Sequence, residues 1–166
     1  ASKLKWVKEN EPEVYEKIYK YMLPGDFIAY KLTGEINTTR NGLSEGIIWD
    51  YKNNEIANWL LDFYGINPNL TPDLVDNFTN QGATNSKSSE ETGLNIGIPI
   101  TYRAGDQPNN ALALNVFDNG EVAASGGTSG VIYSITNDIN SKEPSRINHF
   151  AHVNYNDNNK SIGKLL

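Results

Sequence analysis

Between residues 97 and 133 the chain passes from a strand pattern to a helix pattern and back, which constrains its fold more than any other feature. Ile98, Ile100 and Tyr102 alternate with polar or small neighbours, so 97–103 reads as a strand. Gly105 lets the backbone turn sharply. Pro108 then opens a helix whose inward face carries Ala111, Leu112 and Val116, and Asp118-Asn119-Gly120 turns the chain again. Glu121 to Ser125 is a strand of small residues, Gly126 to Gly130 a turn, and Val131-Ile132-Tyr133 a returning strand. Strand, helix and hairpin in succession exclude an all-helical bundle and an all-β sandwich and place the chain in the α/β class.

The first third reads as helical. Residues 3 to 9 look like the end of one helix. Pro12 suits a first helical position, and Val14, Ile18 and Tyr21 continue that helix towards Leu23-Pro24-Gly25. Asp26 is placed to cap a third helix with an inward face of Phe27, Ile28 and Leu32, stopped by Gly34. Thr38, Thr39 and Asn41-Gly42 suggest a turn, and Ile47-Ile48-Trp49 a short buried segment. Asn54 is expected to cap a helix carrying Ile56, Trp59, Leu60 and Phe63, ended by Gly65. Residues 66 to 95 read as loop with short pieces. Phe150, Val153 and Tyr155 suggest a further strand, and the terminal Gly163-Lys164-Leu165-Leu166 the start of a strand without a partner. Trp6, Trp49 and Trp59 are expected in the core; Glu9, Glu11, Glu13 and Ser88-Ser89-Glu90-Glu91 are expected on solvated faces.

Composition excludes several function classes. At 38% hydrophobic residues, the 166-residue chain can bury a core. A formal net charge of −6, with no basic stripe, argues against a nucleic-acid partner. The absence of Cys removes disulfides, thiolate metal sites and a thiol nucleophile, and fits a reducing cytoplasm. No apolar run is long enough to span a membrane. The ends read as those of an internal segment of a longer chain.

Three places could carry chemistry. Asp106 sits between a strand and a helix, where a carboxylate can take the proton of a substrate hydroxyl as its oxygen attacks phosphorus; the same residue also suits a plain turn ahead of Pro108. Gln107 could hydrogen-bond a neighbouring hydroxyl, or simply face solvent. Gly126-Gly127-Thr128-Ser129-Gly130 could offer backbone N–H groups and a hydroxyl to phosphate oxygens, or be a glycine-rich hairpin turn. It lacks the Lys-Ser/Thr of a Walker A loop. His149 and His152 have no nearby ligand partners, so no metal site is expected.

Four blocks in order resemble the FGGY family of carbohydrate kinases. Trp6-Val7-Lys8-Glu9-Asn10-Glu11-Pro12-Glu13-Val14-Tyr15 is similar to one family signature. Leu23-Pro24-Gly25-Asp26-Phe27-Ile28-Ala29-Tyr30-Lys31-Leu32-Thr33-Gly34-Glu35 resembles the next block in its xylulokinase branch. Ala104-Gly105-Asp106-Gln107 matches the block with the family's catalytic aspartate, and Gly127-Thr128-Ser129-Gly130 its later Gly-Thr-Ser block. The run Asn41-Gly42-Leu43-Ser44-Glu45-Gly46-Ile47-Ile48 departs from the family pattern, and Gln107 stands where xylulokinases often have Asn.

The resemblance implies a ribonuclease H-like (actin-like ATPase) α/β fold, present in part: 1–104 as the later part of the N-terminal, sugar-binding domain, and 105–166 as the catalytic-aspartate block and start of the C-terminal, nucleotide-binding domain. It implies Asp106 as the base, Gln107 as a sugar contact, and Gly127, Thr128 and Ser129 near nucleotide phosphates. The implied substrates are a sugar, D-xylulose first, and ATP with Mg2+ held largely through phosphates and water. Glycerol, gluconate or another ketose are the in-family alternatives, and a non-catalytic sugar-binding or actin-like module is the alternative outside the kinase class. The implied setting is cytoplasmic, without nucleic acid or membrane, and compatible with a homodimer. The family's first phosphate motif and its adenosine-binding segment are not in this sequence, so the segment alone is expected to be inactive.

Overall fold

Seven short helices and eight strands make up a computed structural model that describes residues 1–128 and 130–166. Helices α1 (Ser2–Asn10) and α2 (Pro12–Tyr15) open the chain, with Pro12 at the first helical position as expected. α2 stops at Tyr15, well before Leu23. Tertiary bonds win over the helical pattern there. The Tyr21 N–H donates to Leu70 O at 3.1 Å, the Tyr21 hydroxyl meets Thr71 Oγ1 at 2.8 Å, and Lys20 Nζ donates to the carbonyls of Asn69 and Thr71. Those partners lie in and beside the 3-10 turn Pro68–Leu70.

Helix α3 (Pro24–Thr33) ends on Gly34 at φ +84°, the left-handed stop expected there. Asp26 is not its cap but lies one turn in, and the buried face is Asp26, Ala29 and Thr33, whereas Phe27 and Ile28 are exposed. Thr38 and Thr39 belong to strand β1 (Asn37–Thr39), which pairs in parallel with β4 (Asp73–Val75). Thr39 Oγ1 then caps α4 (Arg40–Glu45) by accepting the Gly42 N–H at 3.1 Å. Strands β2 (Trp49–Asp50) and β3 (Glu55–Ile56) form a small antiparallel hairpin with Asn54 at positive φ in its turn, so Asn54 caps no helix. Helix α5 (Asn58–Tyr64) ends on Gly65 as expected but buries Leu61, leaving Trp59 and Phe63 exposed. Of the three tryptophans only Trp49 is buried. In α6 (Ser86–Thr92), Ser88 is buried because it closes a reciprocal cap with Asn85.

Residues 97–103 do not form a strand of a sheet. They run extended beside residues 81–84, with a single bridge between Ala83 and Pro99 and flanking bonds such as Ile100 N–H to Gly82 O at 2.8 Å. Helix α7 (Asp106–Ala113) follows, with Pro108 in its first turn and Ala111 fully buried. The last third is one antiparallel sheet in the order β5 (Val122–Gly126), β6 (Gly130–Thr136), β8 (Ile162–Leu165), β7 (Asn148–Ala151). The terminal strand, expected to lack a partner, pairs on both sides. Phe150 lies in β7, while Val153 and Tyr155 follow it as buried residues outside any strand.

Two hydrophobic clusters hold these parts together. The first joins Leu43, Ile48, Trp49, Leu61 and Ile66 to Ala151, Tyr155 and Ile162, from opposite ends of the chain. The second packs Ala111 of α7 against Ala123, Tyr133 and Ile135 of the sheet. Each large side chain buried there contributes about 1.5–3 kcal/mol. Polar bonds set the register between the halves. Asn41 Nδ2 donates to the carbonyls of Ala151 at 2.9 Å and His152 at 2.8 Å, and Ser44 Oγ accepts the Ala151 N–H at 2.9 Å. Helix α4 is thereby fixed against the end of β7.

Candidate active site

Asp106 is the first residue of α7, and Gly105 is its extended N-cap. A carboxylate there meets the positive end of the helix dipole, which stabilises the helix start. Its Oδ1 accepts the Gln107 N–H at 2.8 Å, and Gln107 Nε2 reaches Oδ2 at 3.4 Å. Asp106 is exposed, and Gln107 is partly covered. Asn109 braces the turn from inside the helix, donating from Nδ2 to Ala104 O at 2.9 Å. A carboxylate thus stands in solvent on a turn whose backbone is tied down.

The residues beneath that turn escaped the sequence reading. Glu45, last residue of α4, accepts the Gly105 N–H on Oε1 at 2.8 Å across 60 residues of sequence. A methyl group on Gly105 would overlap the Glu45 carboxylate. Burial, with further repulsion from Asp106 and Asp26, lifts the Glu45 carboxyl to about 7, although its bond from Gly105 works the other way. Asp26 and Arg103 form a buried ion pair, Nε to Oδ1 at 2.9 Å. Thr38 Oγ1 donates to Asp26 Oδ2 at 2.9 Å, and Arg103 Nη2 donates to the Asn37 carbonyl at 2.8 Å and to its Oδ1 at 2.6 Å. Burial pushes the Asp26 carboxyl up, against the pull of Arg103 and Thr38. These side chains tie α3, α4, β1 and the segment leading to Asp106 into one polar cluster.

A cavity of about 300 Å3 opens beside the cluster, lined by Leu23, Asp26, Gly42, Glu45, Arg103 and Gly105. That is the lower end of the range for small-molecule sites, ~300–1,000 Å3. Gly127 and Thr128 lie at the exposed tip of the β5–β6 hairpin, beyond the Gly126–Gly130 pair that closes it. Ser129 lies outside the described residues. Helix α7 packs on β5, so Asp106 and the hairpin belong to neighbouring elements, yet no hydrogen bond joins Asp106 to Gly127 or Thr128 among the described residues. His152 is fully buried against Tyr133, its Nδ1 3.2 Å from the phenol oxygen, and burial lowers its imidazole to about 4. It packs in the core, with Phe117 and Tyr133 against its ring.

Residues 1–113 match the model of the FGGY family of carbohydrate kinases, N-terminal domain. The chain belongs to the FGGY family of carbohydrate kinases. Curated FGGY relatives agree with that placement. The xylulose kinase of Staphylococcus xylosus is 30% identical over 150 residues, covering 90% of this chain and 31% of its own length. The xylulose kinase of Escherichia coli is 27% identical over 154 residues, covering 92% of this chain and 31% of its own. A xylulose kinase structure from Rhodospirillum rubrum superposes with a TM-score of 0.85 at 26% identity over 99% of this chain and 32% of that one. The fold is shared more widely, since a Plasmodium falciparum glycerol kinase with ADP superposes at a TM-score of 0.85 with 21% identity over 98% of this chain and 33% of the other. The architecture is therefore part of the ribonuclease H-like, actin-like ATPase fold of the FGGY kinases, and the chain spans about a third of the length of these relatives.

Proposed function

We infer that the protein carrying this segment phosphorylates a sugar hydroxyl with ATP, and that the sugar is D-xylulose, giving D-xylulose 5-phosphate and ADP. One observation carries the reading. Asp106 stands exposed on the braced turn that starts α7, next to Gly105 in the wall of a cavity of small-molecule size, within the residues that match the family. The names of the curated relatives support the choice of sugar.

In this reading residues 1–104 supply the sugar side and 105–166 begin the nucleotide side. Asp106 accepts the proton of the sugar hydroxyl while that oxygen bonds to the γ-phosphorus and the bond to ADP breaks. Gln107 holds an adjacent hydroxyl. Gly127, Thr128 and Ser129 face the nucleotide phosphates. Phosphoryl transfer relies mainly on alignment and charge stabilisation, so the placement of Asp106 matters more than its strength as a base. Mg2+ would be held largely through the ATP phosphates and water. The protein works in the cytoplasm on small molecules, not on nucleic acid or at a membrane. A net charge of −6, without a basic stripe, argues against a nucleic-acid partner. The 166-residue segment alone has too little of the phosphate-binding site to turn over.

The test is ADP release by the full-length gene product with MgATP and a panel of D-xylulose, L-xylulose, D-ribulose, glycerol and gluconate. Turnover strongest with D-xylulose, and lost by a factor of about 100 or more in Asp106→Asn while sugar affinity survives, is the expected result. Preference for another panel member would overturn the choice of sugar. Sugar binding with no turnover on any of them would point instead to a non-catalytic binding module.

A further inference from the structure

The Glu45 carboxylate reaches across the fold to a backbone amide, and its environment is unfavourable to a negative charge. It accepts the Gly105 N–H at 2.8 Å, and a methyl group on Gly105 would push the carboxylate away from that amide. Gly105 is the N-cap of α7, so the orientation of its peptide sets the direction in which Asp106 leaves the turn. The other end of the linkage is tied down. Helix α4 is capped by Thr39 and fixed to residues 151 and 152 by Asn41 and Ser44, which are both buried.

We propose that Glu45 is a positioning residue of the active site, which holds the Gly105 peptide and through it aims the Asp106 carboxylate at the acceptor hydroxyl. The proposal rests on the reading of Asp106 as the base. It assigns a purpose to a residue in the stretch 41–48, which departs from the family pattern.

The hold is sensitive to pH. An ionised carboxylate makes a shorter and stronger bond to an N–H than a neutral acid does. The titratable and charged groups around Glu45 are Asp26 of α3, Tyr51 at the β2–β3 hairpin, Tyr102 and Arg103 on the segment leading into α7, Asp106 at the start of α7, and Tyr133 of β6. Two are carboxylates, and the one cation among them is paired to Asp26. With Glu45 lifted to about 7, the strong form of the bond is present above neutrality and lost below it. The rate of the chemical step then rises with pH through that region.

Two readouts on the full-length product test this. In 15N-glycine-labelled protein, the Gly105 amide resonance is expected to titrate with a midpoint near 7, and to stop doing so in Glu45→Gln. A Gly105 resonance flat between pH 5.5 and 8.5 in the wild type would overturn the clamp, whatever the enzyme acts on. In steady-state kinetics, Glu45→Ala is expected to lower kcat tenfold or more with both KM values within twofold, because small misalignments are costly in rate. Glu45→Gln, which can still accept the N–H, should fall less and lose the acidic limb of the kcat profile. Neither change should add to the loss in Asp106→Asn. A rise in sugar KM alone would make Glu45 a substrate contact and overturn the positioning role, as would an unchanged kcat and pH profile. If no sugar is turned over the activity reading fails, and the Gly105 titration still decides whether the clamp exists.

Discussion

Gly163 in β8 faces Tyr133 of β6 so closely that a methyl group there would overlap the phenol ring. Gly163→Ala therefore forces a choice. If β8 shifts, its pairing with both β6 and β7 is disturbed. If Tyr133 swings out, a side chain only 1% exposed leaves the second cluster and its bond to the buried His152 is lost. Exposing the ring costs about 1.5–3 kcal/mol, and the hydrogen bond adds about 1 kcal/mol. Overpacking with partial relaxation costs about 1–3 kcal/mol on its own. We expect a loss of about 3 kcal/mol, or about 6–12 °C in Tm for a chain of this size. Thermal unfolding followed by circular dichroism measures it. A second variant separates sterics from backbone effects, because Tyr133→Val in the Gly163→Ala background should recover part of the loss. A Gly163→Ala Tm within 1 °C of wild type would refute the close packing of β8 on Tyr133.

Two other outcomes follow from the polar cluster. Burial raises the Glu45 carboxyl from 4.5 to about 7, so the folded state binds more protons in that window and wild-type stability falls as pH rises through it. The full displacement corresponds to about 3 kcal/mol, and solvent screening at a half-buried side chain brings it to about 1–2 kcal/mol; Glu45→Gln should gain that much on wild type between pH 4 and pH 8.5 in urea unfolding, and no gain would contradict the buried setting. Asp26→Ala leaves Arg103 without its partner in a buried site and should cost about 3–5 kcal/mol, whereas Asp26→Leu with Arg103→Met should cost much less, and equal losses in the two would show that the charges are not the cause.

What could be read from the sequence was whatever depends on local backbone chemistry. Gly34 and Gly65 stop their helices because each takes a left-handed conformation that other residues avoid. The hairpin of β5 and β6 follows from small residues, a glycine pair and alternation, all within a dozen or so positions. The inward faces of α3 and α5 could not be read this way. Phe27 and Ile28 outrank Asp26 and Thr33 on any hydrophobic scale, yet the helix turns its polar face inward because Arg103 and Thr38 wait there to satisfy Asp26. Those partners are remote in sequence, as are the Leu70 and Thr71 groups that end α2 early. The same holds for the site. The turn that carries Asp106 was legible from Gly105 and Pro108, but Glu45 reads as an ordinary charged helix end until Gly105 is brought beside it.

Glu45 sets stability against placement. A carboxylate held near Asp26 and Asp106, half out of water, destabilises the fold whenever it is ionised, and a glutamine would remove that penalty. Protein sites that hold a group in an unfavourable environment usually do so for function. The two effects of Glu45→Gln should therefore run in opposite directions, with a more stable protein above neutral pH and a slower one. An ordinary packing residue would lose both together, and a solvated surface charge would change neither. The fold accommodates the penalty because α4 is held at both ends by groups that do not titrate: the Thr39 hydroxyl at its start, and Asn41 and Ser44 against the 151–152 backbone. Those bonds hold the helix independently of the proton on Glu45, so in the proposed role a change in its charge acts on the Gly105 peptide and not on α4.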